Sequence, residues 1–153
     1  MKNLFDPTLA HDVKQRILRL HPASERLWGN MPVTLALAHC TAGFHMATGT
    51  LRPKRAPFPA YVLGRLIKPV VFGDDKPIRR NSPSSPELFL ADPAQSDFEV
   101  ERTRLLQAID RFVANGAAGC TTCPHPFFGP LQPQQWAILM YKHLDHHLRQ
   151  FGA

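Results

Sequence analysis

The sequence lacks the features that mark membrane-spanning and secreted proteins. No run of about 18 uninterrupted apolar residues occurs, so we expect no membrane-spanning helix. The first residues contain no apolar stretch of signal-peptide length, and we therefore expect a cytoplasmic protein without a membrane partner. The three cysteines, Cys40, Cys120 and Cys123, are odd in number and poorly spread for a disulfide scaffold.

Strand patterns and internal repeats are also absent, whereas helical spacing of apolar residues recurs along the chain. A chain of 153 residues with 44% hydrophobic residues can form one domain with a real core, and we predict a single domain over residues 1–153. Four long helices and one short helix predict an all-α fold. The expected architecture is a four-helix bundle with an extra short helix and a long crossover loop.

Local signals define the ends of the predicted helices. Asp and Pro favour a helix start, a capping box of Ser and Glu does the same, and Gly favours a helix end. A long Pro-containing connection over residues 73–93 predicts a functional or disordered loop. The predicted helices run from Asp6-Pro7 to His21-Pro22, from Pro32 to Thr48, from Phe58 to Phe72 with Pro69 near its end, from the capping box Ser96–Glu99 to Asn115-Gly116, and from Pro133 to Gly152.

Acidic residues are scarce, and the imbalance is local. The chain has 18 Lys and Arg against 12 Asp and Glu, a net charge of +6. Between Arg52 and Arg80, eight basic residues stand against Asp74 and Asp75. Such a segment could bind nucleic acid or anionic lipid, but it has no regularly interleaved aromatic residues and no nucleic-acid-binding motif. A solvated surface is the favoured interpretation, nucleic acid is not an expected partner, and an acidic partner is a weaker alternative.

The last predicted helix carries the most informative pattern. Trp136, Met140, His143 and His147 follow each other at steps of four, three and four, which places them on one helix face. Two imidazoles one turn apart can bind the same metal ion. A solvated, mildly basic helix end is the alternative, and Trp136 and Met140 are expected in the core.

The second predicted helix repeats this spacing with a histidine in the middle. Leu35, His39, Ala42 and Met46 share one face, so His39 is expected to be buried with a backbone carbonyl, water or a metal as its partner. If the two helices are neighbours, three imidazoles converge. Three neutral imidazoles suit zinc or nickel and leave a coordination position for water or substrate.

The histidine pattern resembles the DinB-like (YfiT-like) superfamily, in particular its branch of unknown function DUF1569. The similarity lies in His39 and in the terminal stretch His143–Gln150, together with Leu4–Pro7 and His125–Leu131. The resemblance implies a divalent metal held by His39, His143 and His147, with His146 outside the ligand set. It also implies a homodimer, and relatives that transfer low-molecular-weight thiols.

Three further features remain open. His125 stands between two prolines and is either a catalytic proton-transfer residue near the metal or a turn residue before the last helix. Cys120 and Cys123 have zinc or redox spacing, but a lone pair in a loop is a weak signal. Asp145 or Asp110 could orient a ligand imidazole.

Two functions follow from these patterns. The first is a metal-dependent enzyme that activates water or a thiol, as a hydrolase or a thiol-dependent transferase or isomerase. The second is a non-catalytic helical module that binds a metal or a small ligand, or simply dimerises. A solvent-connected cavity beside the histidines would favour the enzyme, and a filled core with hydrogen-bonded histidines would favour the module.

Overall fold

A computed structural model describes residues 1–82, 84–89 and 95–153. This part of the chain is all-helical and contains no strand, which confirms the predicted all-α class. The α-helices are α1 (Pro7–Leu18), α2 (Val33–Thr48), α3 (Phe58–Val71), α4 (Phe98–Asn115) and α5 (Pro133–Gln150), with two 3₁₀ turns at Pro86–Phe89 and Gly116–Gly119.

The helix ends follow the sequence signals in most places. The Asp6 carboxylate accepts the backbone N–H of Thr8 at 2.9 Å, so the predicted cap of α1 is confirmed. α1 ends at Leu18 rather than at His21, and the amides of Arg19 and Leu20 each bond to the carbonyl three residues earlier, the tightened closure found at helix ends. The restriction that Pro22 imposes reaches only the residue before it, so it does not set this end.

The start of α4 corrects a second prediction. The cap is Asp97, whose carboxylate accepts the amide of Val100 at 3.0 Å, and not the Ser96–Glu99 capping box. Asp caps a helix at least as well as Ser. Its negative charge also interacts favourably with the positive end of the helix dipole.

Four of the helices enclose the hydrophobic core. α2 packs against α4 and α5, and α1 packs against the same two helices. Trp136 and Met140 are fully buried in this core, as predicted. The position of α2 beside α5 brings the two histidine-bearing faces together.

α3 lies outside this arrangement. Its one buried residue is Gly64, which faces the backbone of Phe127 in the loop before α5. Pro69 lies within the last turn of α3, and the helix continues past it to Val71. Among the described residues, no helix combines the length and apolar character that crossing a membrane requires.

The long connection between α3 and α4 is described in part. Its 3₁₀ turn at Pro86–Phe89 packs against α2 and places Leu88 in the core. Pro83 and residues 90–94 of the predicted crossover loop lie outside the described residues. Within the described residues, Leu88 and Phe89 of this turn contact His39.

Candidate metal centre

The structure brings His39, His143 and His147 into one cluster. The ring centroids are separated by 4.8 Å for His39 and His143 and by 4.9 Å for each of the other two pairs. Each residue offers one nitrogen, and the three nitrogens lie within 4.8 Å of one another. The Nε2 atoms of His39 and His143 are 3.0 Å apart, close to the spacing of about 3–3.4 Å that two ligands of one zinc ion adopt.

The close approach of α2 and α5 depends on a small residue. A Cβ atom at Gly43 would lie 3.1 Å from Nδ1 of His143, which is tighter than ordinary side-chain contacts. The glycine of α2 therefore leaves the room that the imidazole of α5 occupies. Gly43 is therefore the residue of α2 whose small size the cluster depends on.

The orientation of His39 is set by the 3₁₀ turn of the long connection. Nδ1 of His39 donates to the carbonyl of Leu88 at 3.2 Å, which leaves the Nε2 lone pair directed at the cluster. Phe89 stacks on the same imidazole with a centroid distance of 4.7 Å. A ligand imidazole that donates its second N–H to a carbonyl is the usual arrangement in metal sites.

The orientation of His147 is set by Gln150, one turn later in α5. Nδ1 of His147 and Oε1 of Gln150 are 2.9 Å apart, and Nε2 of Gln150 donates to the carbonyl of Trp28 at 2.9 Å. Because the amide nitrogen is committed to Trp28, its oxygen faces His147 and accepts the Nδ1 proton. Nε2 of His147 is thereby left without a proton and can bind a metal.

Burial keeps the cluster neutral. Desolvation is the main cause of a lowered pKa at all three histidines. The pKa of His39 is lowered, that of His143 lies well below its ordinary value, and that of His147 is lowered to about 3. The neighbouring imidazoles add electrostatic repulsion to this effect at His143 and His147. Metal ligation requires neutral imidazoles, so the cluster has the protonation state that a metal needs at neutral pH.

A cleft of about 400 Å³ opens beside the cluster. His147 and Gln150 of α5 form one wall, and Phe89 of the 3₁₀ turn forms another part of the lining. Trp28, in the connection between α1 and α2, also lines the cleft. A volume of this size lies within the usual range for small-molecule sites.

His125 and His146 lie near the cluster without joining it. Nδ1 of His125 accepts the amides of Phe127 and Phe128 at 3.1 and 3.2 Å, so this ring shapes the turn before α5. Nδ1 of His146 donates to the carbonyl of Ile78 at 3.2 Å, and its ring lines the cleft. The catalytic prediction for His125 therefore depends on its Nε2 atom alone.

The other candidates occupy separate positions. Asp145 pairs with Arg16 at 2.9 Å, and Asp110 pairs with Lys14 at 2.6 Å. These carboxylates pair with Lys14 and Arg16, whereas the groups that hydrogen-bond to His39 and His147 are Leu88 and Gln150. Cys120 and Cys123 are free thiols and belong to no metal-competent group within the described ranges.

Sequence reasoning missed the two groups that do orient the ligands. Gln150 stands three residues after His147, a spacing that places both on one helix face, so helical periodicity could have identified it. The Leu88 carbonyl is a backbone group in a Pro-rich connection. No side-chain pattern signals that group.

The fold and the site define an all-helical protein with a three-histidine cluster at the contact of two helices. The sequence pattern of the family described as "Protein of unknown function (DUF1569)" matches residues 5–153. The chain therefore belongs to this family, as the resemblance of its sequence implied. No curated protein and no solved structure matches the chain. The wider DinB-like relationship stays a prediction.

Proposed function

We propose that this chain is a metal-dependent enzyme of the DinB-like superfamily in which His39, His143 and His147 bind one divalent ion, zinc or nickel. The supporting observation is the convergence of three neutral imidazoles next to an open cleft. Two of the three donate their second nitrogen proton outward, to Leu88 and Gln150, as ligand histidines do.

The chemistry follows from what each part of the chain does. When bound, the ion would lower the pKa of a water molecule or a thiol and so make it a nucleophile at neutral pH. The imidazoles hold the ion, while the Leu88 carbonyl and the Gln150 amide hold the rings. The cleft admits the substrate, and Nε2 of His125 is a candidate for proton transfer. The reaction class is hydrolysis or thiol-dependent transfer.

The finer fold assignment belongs to the same proposal. The mutual packing of α1, α2, α4 and α5 supports a DinB-like four-helix bundle, with α3 as the additional short helix. A single domain over residues 1–153 and a cytoplasmic location complete this description of the protein.

Metal analysis of the purified protein tests the proposal directly. After growth with zinc and nickel available, we expect about one ion per chain in the wild type. His143→Ala removes one of the three donors, and we expect it to lose the stoichiometric ion. His143→Gln serves as a second variant in case the alanine variant fails to fold.

His146→Ala is the matched control for this experiment. His146 belongs to the same helix and the same histidine stretch, but its Nδ1 donates to the Ile78 carbonyl and it lies outside the cluster. We expect this variant to keep the ion. A wild-type protein without stoichiometric metal, or equal metal loss in the His143 and His146 variants, would contradict the proposal.

The alternative, a module that dimerises, is favoured by one specific observation. The outer face of α3 exposes five large apolar side chains, with fractions between 38% for Val62 and 75% for Phe58. No acidic residue occurs over residues 51–73, whereas Asp74 and Asp75 follow the helix. In an antiparallel pair, the basic residues before one α3 would face these aspartates of the second copy. We propose this face as a homodimer surface.

Sedimentation velocity with Leu66→Lys tests the dimer. Leu66 is 72% exposed in the middle of the apolar face, so a buried charge there should convert a dimer to a monomer. Leu27→Lys is the matched control, because Leu27 is 68% exposed and lies outside α3. A monomeric wild type, or equal dissociation of both variants, would reject this surface.

A further inference from the structure

The cleft beside the histidine cluster has a distinct chemical character. Trp28, Met31, Pro32, Leu35 and Phe89 form the apolar and aromatic part of its lining, and uncharged Asn, Ser, His and Gln side chains form most of the rest. No Asp or Glu occurs in the lining formed by the described residues. Such walls suit a flat, apolar body and offer no counter-charge to a cation.

Two groups near Trp28 favour a ligand that accepts hydrogen bonds or carries negative charge. The Arg80 guanidinium lies over the Trp28 ring, 4.2 Å from its centroid. The indole Nε1–H of Trp28 is buried and has no acceptor among the described residues. Both groups are complementary to a carboxylate or a neutral oxygen and unfavourable for an ammonium group.

Gln150 connects this cleft to the histidine cluster. Its amide oxygen holds His147, and its amide nitrogen donates to the Trp28 carbonyl. A Cβ atom at Gly29 would lie 2.8 Å from Nε2 of Gln150, so the side chain fits tightly against the Trp28–Gly29 backbone. The amide of Leu27 also donates to the Gln150 carbonyl at 2.7 Å. Movement of the Trp28 connection must therefore move the group that orients His147.

We propose that the cleft binds a small neutral or anionic molecule with an aromatic body, and that Gln150 is a positioning residue that couples this binding to metal binding at His147. A ligand that packs on Trp28 restrains the connection and with it the Gln150 amide, so the imidazole is held ready for the ion. By linkage, the ligand tightens metal binding and the metal tightens ligand binding by the same factor. The coupling rests on the proposed function, whereas ligand binding in the cleft does not.

The first experiment measures ligand binding to chelator-treated, metal-free protein by calorimetry. The probes are 2-naphthylmethanol, 2-naphthoate and 2-naphthylmethylammonium, which share one aromatic body and differ in charge. We expect the ammonium to bind most weakly. Trp28→Ala should weaken the other two about tenfold or more, and Leu27→Ala, a neighbouring exposed residue outside the cleft lining, should leave them unchanged.

Arg80→Gln separates charge recognition from stacking. We expect it to reduce the affinity for 2-naphthoate more than that for 2-naphthylmethanol. Arg79→Gln removes the same charge from the adjacent position and should have little effect, because Arg80 is the one that stacks on Trp28. Tightest binding of the ammonium probe, or binding unaffected by Trp28→Ala, would overturn the assignment of the cleft.

The second experiment measures zinc affinity by competition with a chromophoric chelator, with and without saturating 2-naphthylmethanol. We expect the ligand to raise zinc affinity about fivefold or more in the wild type. Gln150→Ala should weaken zinc binding by about tenfold or more and abolish the coupling. Gln107→Ala, at an exposed position on α4, is the control and should preserve both.

Gln150→Glu keeps an oxygen for His147 and loses the donor to Trp28. We expect this variant to bind zinc but to show no coupling. Zinc binding would show that the site is folded, so the missing coupling would report the lost contact with Trp28. Coupling that persists in both Gln150 variants would reject the role of this residue. Absence of zinc binding with intact ligand binding would reject the proposed function and leave the cleft assignment standing. The reverse result would reject the cleft alone.

Discussion

α5 and α3 contain similar apolar patterns and have opposite environments. α5 is buried on most of its surface by the core, and its histidine-bearing face meets α2. α3 carries Phe58, Val62, Leu66 and Val70 at steps of four, yet these side chains face solvent. Apolar spacing therefore defines a helix face, but which face is covered depends on the neighbouring helices.

The two helices are also attached to the rest of the protein by different kinds of contact. α5 packs directly against α1 and α2. α3 instead contacts the loop before α5, where the Ala56 amide donates to the Pro126 carbonyl at 3.1 Å and Lys68 donates to the Pro130 carbonyl. At its other end, Lys142 of α5 donates to the Val71 carbonyl at 2.6 Å. Hydrogen bonds to backbone carbonyls contribute much of the attachment of α3, whereas side-chain packing in the core holds α5.

The largest contrast is expected from the same substitution in each helix. Leu144→Ala leaves a cavity in the core, where Leu144 is 1% exposed, and should reduce the free energy of unfolding by about 2–5 kcal/mol. Leu66→Ala on the outer face of α3 should change it by less than about 0.5 kcal/mol in a monomer. Urea unfolding measures both. A large cost for Leu66→Ala that depends on protein concentration would show that a second copy covers α3.

A second prediction concerns the turn that connects the two regions. His125→Ala removes the acceptor for the Phe127 and Phe128 amides and should cost about 1–3 kcal/mol, whereas His125→Asn supplies an oxygen and should recover part of the loss. Urea unfolding of the two variants measures this difference. Equal stability of the alanine and asparagine variants would show that the acceptor role is not important.

The same residue has a pH signature. Burial lowers the pKa of His125 to about 3, below its ordinary value of 6.5. The unfolded chain therefore binds the proton first, so the stabilisation is complete above about pH 6.5 and is lost as the pH falls toward 3. His125→Asn lacks this titration, and its stability should decrease less than that of the wild type between pH 7 and pH 4.5. The other buried imidazoles are common to both proteins, and parallel pH profiles would contradict the assignment.

Two glycines allow a matched test of how closely each helix approaches its neighbour. A Cβ atom at Gly64 would overlap the Phe127 carbonyl, so Gly64→Ala must displace α3 from the loop. We expect a loss of about 1–3 kcal/mol in the free energy of unfolding, together with faster proteolysis near α3. An unchanged stability would mean that α3 moves freely on the loop.

The smallest effect on stability is expected at Gly43. Gly43→Ala gains about 1 kcal/mol of helix propensity, which roughly offsets the tight contact with His143. The displaced imidazole should still weaken zinc binding by about tenfold, as measured by chelator competition. Zinc affinity equal to that of the wild type would show that His143 can shift without loss of ligation. Comparison with Gly64→Ala then separates the metal site from the attachment of α3.

Much of the helical layout could be predicted because its signals are local. Asp6 caps α1, and Pro133 begins α5 as expected, since caps and proline act on adjacent backbone groups. The capping box at Ser96 was misassigned, because Asp97 offers a competing carboxylate one residue later. Local signals specify that a helix begins, but two adjacent cap residues compete for the position.

The three ligand candidates were also predictable, but the groups that orient them were not. His39, His143 and His147 lie at helical spacings that the chain itself specifies. The carbonyl of Leu88 reaches His39 across 49 residues of sequence, and the Gln150 amide acquires its orientation from the Trp28 carbonyl. Those contacts form between segments that are distant in the sequence, so no local pattern encodes them.

The sequence by itself determined the helices and the faces on which the histidines lie. Only the tertiary structure decided that two of these faces meet, that the apolar face of α3 remains uncovered, and that a cleft opens beside His147. The physical reason is that backbone hydrogen bonding and side-chain periodicity act within a few residues. Burial depends instead on which distant surfaces pack against each other.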